Sequence, residues 1–421
     1  MGQRMYVCID LKSFYASVEC VERGLDPMAA NLAVADPKRG KGTICLAITP
    51  SMKALGIPNR CRIYQIPPHV EYIMAPPRMK LYLSYAADIY ALYLKYVATE
   101  DIHVYSIDEA FLDVTGYLSL YRLTARELAM RIMGDIQKST GIPAAAGIGT
   151  NLYLAKVALD ILAKHAEGSI GCLDETSFRE MLWDHRPLTD FWRVGAGTQE
   201  RLAHLGILTM RDIAHADPGA LYRMFGVDTE LLIDHAWGRE SARMEDIKAY
   251  QPKSSVLSRS QVLLRDYTFD EGKLIIKEMA DGLCLDLAGK GLAAQAFTLR
   301  IGYSYETGLG PSVGTVSLEA PANSYQAVVP SLLGLYGRIA KQGQPIRKAT
   351  ISCGRLVGEG YQQYSLFTDS AKEKKEKDLQ KAILEVKQRY GKNAIVRGMD
   401  LLGAGTAMER NRQIGGHRSG E

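Results

Sequence analysis

No run of apolar residues in this sequence approaches the ~20 that a membrane-spanning helix needs, so no membrane partner is expected. No Cys-x-x-Cys pair occurs, and no two histidines stand at zinc-ligand spacing. The seven cysteines are scattered at 8, 20, 45, 61, 172, 284 and 353 and read as reduced, mostly buried thiols of a cytoplasmic protein. A signal-peptide apolar region is also missing, because Asp10 interrupts the first apolar stretch. Gly2 suggests myristoylation, but that motif needs Ser or Thr at position six, where Tyr6 stands. Internal repeats are absent. So is a dominant charge: 51 Lys and Arg oppose 47 Asp and Glu, a net of +4. That balance neither marks a nucleic-acid binder nor excludes one whose charges are segregated by domain.

What is present is ordinary globular usage, 47% hydrophobic and 23% charged over 421 residues. A disordered scaffold, a fibrous protein and a small disulfide-stapled module are thereby ruled out. At ~100–200 residues per domain, two to four domains are expected. Residues 5–9 read as a buried strand. Leu11 to Arg23 read as a helix with Phe14, Tyr15, Val18 and Val21 at helical spacing. Residues 29–77, rich in Pro and Gly, suggest a small inserted α/β subdomain. A Tyr-rich helix over 81–97 follows. Strands over 104–106 and 110–114 flank a tight turn holding Asp108 and Glu109. A helix over 123–139, a strand over 144–148 and a helix over 151–163 complete one α/β core. Short helices run from near Gly168 to Glu245, and 246–255 reads as a polar linker. Residues 256–357 alternate helix and strand as a second, smaller α/β domain. The charged tail holds a helix over 372–390 with Leu379, Ile383 and Val386 as a thin apolar face.

Asp10 ends a buried strand, and Asp108 and Glu109 sit in the turn of a hairpin, so the three carboxylates can meet. Clustered carboxylates repel, and a hard divalent cation such as Mg²⁺ resolves the conflict. On spacing alone the pair reads more often as a solvated turn, and Asp10 as a helix N-cap.

The words around these residues are more specific. Ile9-Asp10-Leu11-Lys12-Ser13-Phe14-Tyr15-Ala16-Ser17-Val18-Glu19 resembles the first motif of the Y-family translesion DNA polymerases, of bacterial DinB/UmuC-like type. Tyr105-Ser106-Ile107-Asp108-Glu109-Ala110-Phe111-Leu112-Asp113 resembles their second. Gly147-Ile148-Gly149-Thr150-Asn151, with Leu154-Ala155-Lys156, resembles their third. The resemblance covers residues 5–245 strongly and the later domain more loosely. It implies a polymerase right hand plus an α/β little finger: palm 1–28 and 78–168, fingers 29–77, thumb 169–245, linker 246–255, little finger 256–360 and tail 361–421. It implies addition of deoxynucleoside triphosphates to a primer on template DNA. That chemistry is two-metal phosphoryl transfer, of low fidelity, in DNA repair and the SOS response, by a monomer.

Carried over residue by residue, Asp10, the Leu11 carbonyl, Asp108 and Glu109 would hold two Mg²⁺. Tyr15 would be the steric gate against a 2′-hydroxyl. Phe14 packs into the core, and its N–H with that of Tyr15 could meet phosphate oxygens. Lys53 and Lys156 would reach the triphosphate. Two departures stand out: Pro50, where many relatives have Tyr and Ser51 is the nearest substitute, and Lys12, where several carry an acid or amide. Phe191-Trp192-Arg193-Val194-Gly195-Ala196-Gly197 resembles a helix-hairpin-helix turn, with Gly195 and Gly197 letting the backbone approach a DNA phosphate. Lys253, Ser254, Arg259, Arg300, Arg347 and Lys348 are candidate phosphate contacts of the little finger. Gln363-Tyr364-Ser365-Leu366-Phe367 resembles the peptide by which bacterial polymerases bind the sliding clamp, with Gln363 at the rim and Leu366 and Phe367 as anchors.

Overall fold

The computed structural model describes residues 4–164, 166–252, 256–360 and 370–420. The chain forms two compact units that divide between Tyr250 and Gln251. Lys253, Ser254, Gln363, Leu366 and Phe367 lie outside the described residues.

In the first unit, β1 (Tyr6–Leu11) turns directly into α1 (Phe14–Val21). The insert contributes β2 (Leu32–Val34), β3 (Ala47–Ile48), α2 (Pro50–Ala54) and β4 (Ile73–Ala75). Then come α3 (Met79–Tyr93), β5 (Ile102–Val104), β6 (Glu109–Asp113), α4 (Tyr117–Tyr121) and α5 (Ala125–Thr140). β7 (Ala144–Gly149), α6 (Leu152–Val157) and β8 (Ile170–Leu173) complete the α/β part. The main sheet has the order β5-β6-β1-β7-β8, so β1 is central and antiparallel to both neighbours. Its Val7-Cys8-Ile9 run is wholly buried, as a strand covered on both faces requires. β8 belongs to this sheet, which therefore extends past residue 168, where the sequence suggested that the helical segment begins.

Two glycines set the sheet's distance from its cover. A Cβ on Gly147 would lie 2.0 Å from Ala155 O, and one on Gly171 would lie 2.4 Å from Ala158 O. Without those side chains α6, continued by a π-turn over Ala158–Leu162, lies directly on β7 and β8. The insert forms its own β3-β2-β4 sheet over a small core that includes Ala33, Cys45, Ile48 and Met52.

The helical part runs through α7 (Glu175–Leu182), α8 (Ala196–Ala203), α9 (Met210–His215), α10 (Pro218–Phe225), α11 (Asp228–Ala236) and α12 (Met244–Ala249). Phe178, Phe191, Leu202 and Leu221 share a core with Tyr153 and Leu154 of α6. Helix α12 takes up the first part of the expected linker. At its start Asp246 Oδ2 accepts from the Arg243 N–H at 2.9 Å, which helps so polar a stretch to be helical.

In the second unit, β9 (Leu257–Tyr267), α13 (Phe269–Gly289), β10 (Leu292–Tyr303), β11 (Ser312–Ala322), α14 (Tyr325–Ile339) and β12 (Ile346–Gly358) form an antiparallel sheet of order β11-β10-β12-β9, with both helices in its core. The tail helix α15 (Ser370–Tyr390) packs on α13. The buried residue of its packed face is Gln380, not the expected Leu379, which is 60% exposed. Two carbonyls, of Cys284 and Asn323, need a donor there, and Gln380 Nε2 supplies it at 3.0 and 2.9 Å. Further on, Thr406 donates its N–H and hydroxyl to the buried Glu278 carboxylate at 3.0 and 2.9 Å.

Candidate active site

Strand register brings the acids together. Asp10 pairs directly with Glu109 across β1 and β6, and Leu11 N–H donates to Asp108 O at 2.9 Å. Burial, then the Asp108 and Glu109 charges, push the Asp10 pKa up to about 7. Lys12 feels the Asp10 charge but makes its hydrogen bond to Ser169 Oγ, at 2.5 Å, and burial outweighs the attraction.

Each of the other two carboxylates has a local partner. Asp108 Oδ1 accepts from the Ser106 hydroxyl at 2.6 Å. Glu109 accepts from Lys156 Nζ at 2.9 Å and from the Cys8 thiol at 3.1 Å. Lys156 also holds Asp160 at 2.9 Å. Burial would lower the Lys156 pKa, but Asp160 and Glu109 outweigh it and raise the value. Lys156 is 8% exposed and ion-paired beneath Glu109, a partnership that the sequence reading did not foresee. Among the described residues no three His, Cys, Asp or Glu side chains already surround one point. The donor set nonetheless suits a hard cation: oxygen ligands, two of them mutually repelling, at the exposed end of a buried strand.

An unpaired buried charge costs stability wherever it is ionised. Asp10 has a raised folded-state pKa, so its penalty is absent below its unfolded value near 4 and complete above about 7. In chelator, Asp10→Asn is expected to stabilise the protein by roughly 2–4 kcal/mol at pH 8 and by no more than about 1 kcal/mol at pH 4.5. Thermal melts at the two pH values check this.

Tyr15 lies at the start of α1, after Ser13 in a left-handed conformation (φ 49°). Its ring stacks on Tyr82 of α3, with centroids 4.7 Å apart and planes at 26°. Burial and then Asp108 raise the Tyr15 pKa, and Arg60 opposes them, so the ring stands between the acids and the insert. Tyr82 is itself fixed by donating to Glu19 Oε1 at 2.8 Å. Glu19 is fully buried, yet hydrogen bonds from Arg78, Arg23 and Tyr82 outweigh burial and lower its pKa. Arg78 meets it with both Nε and Nη2 at 2.9 Å. Phe14 is core, as expected.

Lys53 stands at the end of α2. The surrounding protein lowers its pKa, Asp10 and Asp108 raise it, and Lys164 lowers it again. Lys164, two residues past the π-turn, is a second cation near Lys53 that the sequence reading did not consider. Pro50 is the first residue of α2, and Ser51 is no substitute for a hydroxyl there, because it donates to Ala30 O at 2.6 Å.

Residues 9–160 match the impB/mucB/samB family, and residues 254–366 match the C-terminal domain of that family. The "Putative UV-damage repair protein UvrX" of Bacillus subtilis (strain 168) is 30% identical over 98% of this chain and 97% of its own length. "DNA polymerase IV 2" of the same organism is 30% identical over 99% of each chain. This chain belongs to the impB/mucB/samB family of Y-family polymerases. The solved Y-family DNA polymerase chimera Dbh-Dpo4(243-245)-Dbh shares the fold, with a TM-score of 0.64 at 20% identity, covering 84% of this chain and 99% of that one.

The second unit contains the residues that match the family's C-terminal domain, and the segments read as palm, fingers and thumb fall in the first. The glycines read as a helix-hairpin-helix turn open a helix. Gly195 is the N-cap of α8 with φ −88°, and Gly197 is inside the helix. The left-handed residue of the turn is Arg193, at φ 69°. Its guanidinium covers Trp192 at 5.0 Å.

The little finger's sheet has two unlike faces. Phe297, Leu299 and Ile301 of β10 and Ile351 and Cys353 of β12 sit under the helices. The other face carries Ser258, Ser260, Thr298, Thr315, Thr350 and Ser352 at paired positions. Hydroxyl pairs bridge strands there, Ser260–Thr350 at 2.8 Å and Thr298–Thr315 at 2.9 Å. Arg300, opposite Thr350, and Lys348, opposite Gly302, share this face and carry no ion pair among the described residues. Arg259 does not share it. Strand alternation turns it to the helices, where it passes over Gly282 and binds Asp286 at 2.7 Å. Arg347 pairs with Asp266 at 3.4 Å. Among the described residues no helix is long and apolar enough to cross a membrane.

Proposed function

We propose that this protein is a DNA-directed DNA polymerase that extends primers across damaged template, by addition of deoxynucleoside triphosphates at the Asp10, Asp108 and Glu109 site. The observation that carries the reading is the register of β1 and β6, which sets Asp10 against Glu109 and puts Asp108 beside both.

Asp10 and Asp108 would hold two Mg²⁺, with the Leu11 carbonyl completing one shell. When bound, the cations supply charge neutralisation at the α-phosphate and acidify the primer 3′-hydroxyl. Asp108 accepts from Ser106 through Oδ1 alone, so Oδ2 is left to share a cation with Asp10. Glu109 is anchored by Lys156, which meets both of its oxygens, and by Cys8. Lys53 and Lys164 are the cations placed to meet the triphosphate. Tyr15, backed by Tyr82, closes the space beneath the sugar.

Primer extension is the test. A primed template with Mg²⁺ and deoxynucleotides should be extended in template order. Binding without extension would favour a noncatalytic holder of primer ends, and template-free consumption of nucleotide would favour a cyclase.

The hydroxyl face with Arg300 and Lys348 suits sequence-blind contact with phosphates. Replacing both cations with Ala should reduce the slope of log affinity against log salt by about 1.8, at ~0.9 per phosphate contact. Fluorescence anisotropy across a salt series measures it. The peptide at 363–367 is proposed to bind the sliding clamp. Leu366 and Phe367 changed together to Ala should weaken clamp binding about 100-fold or more, in line with two lost anchors, without altering distributive synthesis.

A further inference from the structure

Trp192 belongs to the thumb turn, yet its ring is packed against both the thumb core and the palm core. Its indole N–H donates to the Tyr105 hydroxyl at 3.1 Å. The ring meets Tyr105 edge-on at 5.9 Å and lies over Phe111 at 5.9 Å. Those two residues bracket the acidic loop. Tyr105 N–H and Ser106 N–H both donate to Glu109 O, at 2.9 and 3.1 Å. Phe111 is two residues beyond Glu109 on β6, hence on the same face.

We propose that Trp192 is a positioning residue for nucleotide addition. Through Tyr105 and Phe111 it braces the 106–108 loop from both ends, so that the Asp108 carboxylate is held in place to share a cation with Asp10. The proposal rests on the two-metal reading above. The physical need lies at the loop's first end: Asp108 is tied to β1 by the Leu11 N–H, but Tyr105 is 45% exposed and its backbone bond to Glu109 is open to solvent competition. The brace starts one residue before Arg193, so the turn expected to touch DNA and the loop carrying Asp108 share one rigid ring.

The test uses the full chain on a dideoxy-terminated primer, where no bond forms, with 2-aminopurine in the template beside the insertion position. Mg²⁺ is titrated in the presence of the matching nucleotide, and base fluorescence reports assembly of the site. Trp192→Phe keeps a ring and loses the N–H, whereas Tyr105→Phe loses only the hydroxyl. Each should raise the half-saturating Mg²⁺ about fivefold, the effect of one lost hydrogen bond, with affinity for primed DNA unchanged. The double variant should be no worse than either, because both remove the same contact. Should Trp192→Phe melt early, Tyr105→Phe carries the test. Wild-type Mg²⁺ dependence in the folded variants, or losses that add, would overturn the proposal. A wild type with no Mg²⁺ transition would overturn the two-metal reading first, and the brace with it.

Discussion

Asp108→Ala is expected to slow nucleotide addition by at least about 10³-fold, since a lost cation ligand removes several kcal/mol of transition-state stabilisation. Binding of primed DNA should survive. Asp108 is in an exposed loop and its carboxylate contacts Ser106, so removing it leaves no buried partner bare. The sheet beneath is held by β1–β6 pairing, which the substitution does not touch. Single-turnover extension and anisotropy on the same DNA separate the two effects. Rates near wild type would remove Asp108 from the site and leave Asp10 and Glu109 without a metal partner.

Tyr15→Ala should admit ribonucleotides. A 2′-hydroxyl pressed against a fixed ring costs about 3 kcal/mol, or ~10² in the ratio of kcat/KM for the two sugars. What makes the ring fixed is the layer behind it: Tyr82 stacked on Tyr15, and Glu19 holding Tyr82 while two arginines hold Glu19. An unsupported tyrosine could rotate away from the sugar, and this one cannot without unstacking from Tyr82. Competing incorporation of matched ribo- and deoxynucleotides measures the ratio. Unchanged discrimination would return Tyr15 to the role of a core aromatic.

The acids were legible in the sequence because their signal is local. The buried strand expected to end in Asp10 is β1, which runs one residue further to Leu11; of the two acids expected in the turn, Asp108 is in the β5–β6 loop and Glu109 opens β6. The Lys156–Glu109 pair was not legible, because it depends on Gly147 and Gly171, which let α6 sit so low that the ammonium reaches Glu109 from below. Nothing in the spacing of the third motif encodes that depth. Arg193 was passed over because a left-handed turn advertises itself through glycine, and the nearby glycines drew the assignment. Arg259 could have been placed correctly. Counting back by twos from the apolar Leu263 puts it on the helix side. Lys164, two residues past the π-turn, had no sequence signal.

Glu278 and Thr406 are 128 residues apart in sequence and bonded in the second unit. On the ribosome, Glu278 is made long before the groups that satisfy its buried carboxylate. The first unit can fold during synthesis, as N-terminal domains do. The second unit cannot complete its packing until residue 406 has been added and has cleared the exit tunnel. Each new molecule therefore passes through an interval in which the three acids are already assembled and the second unit is still unfinished.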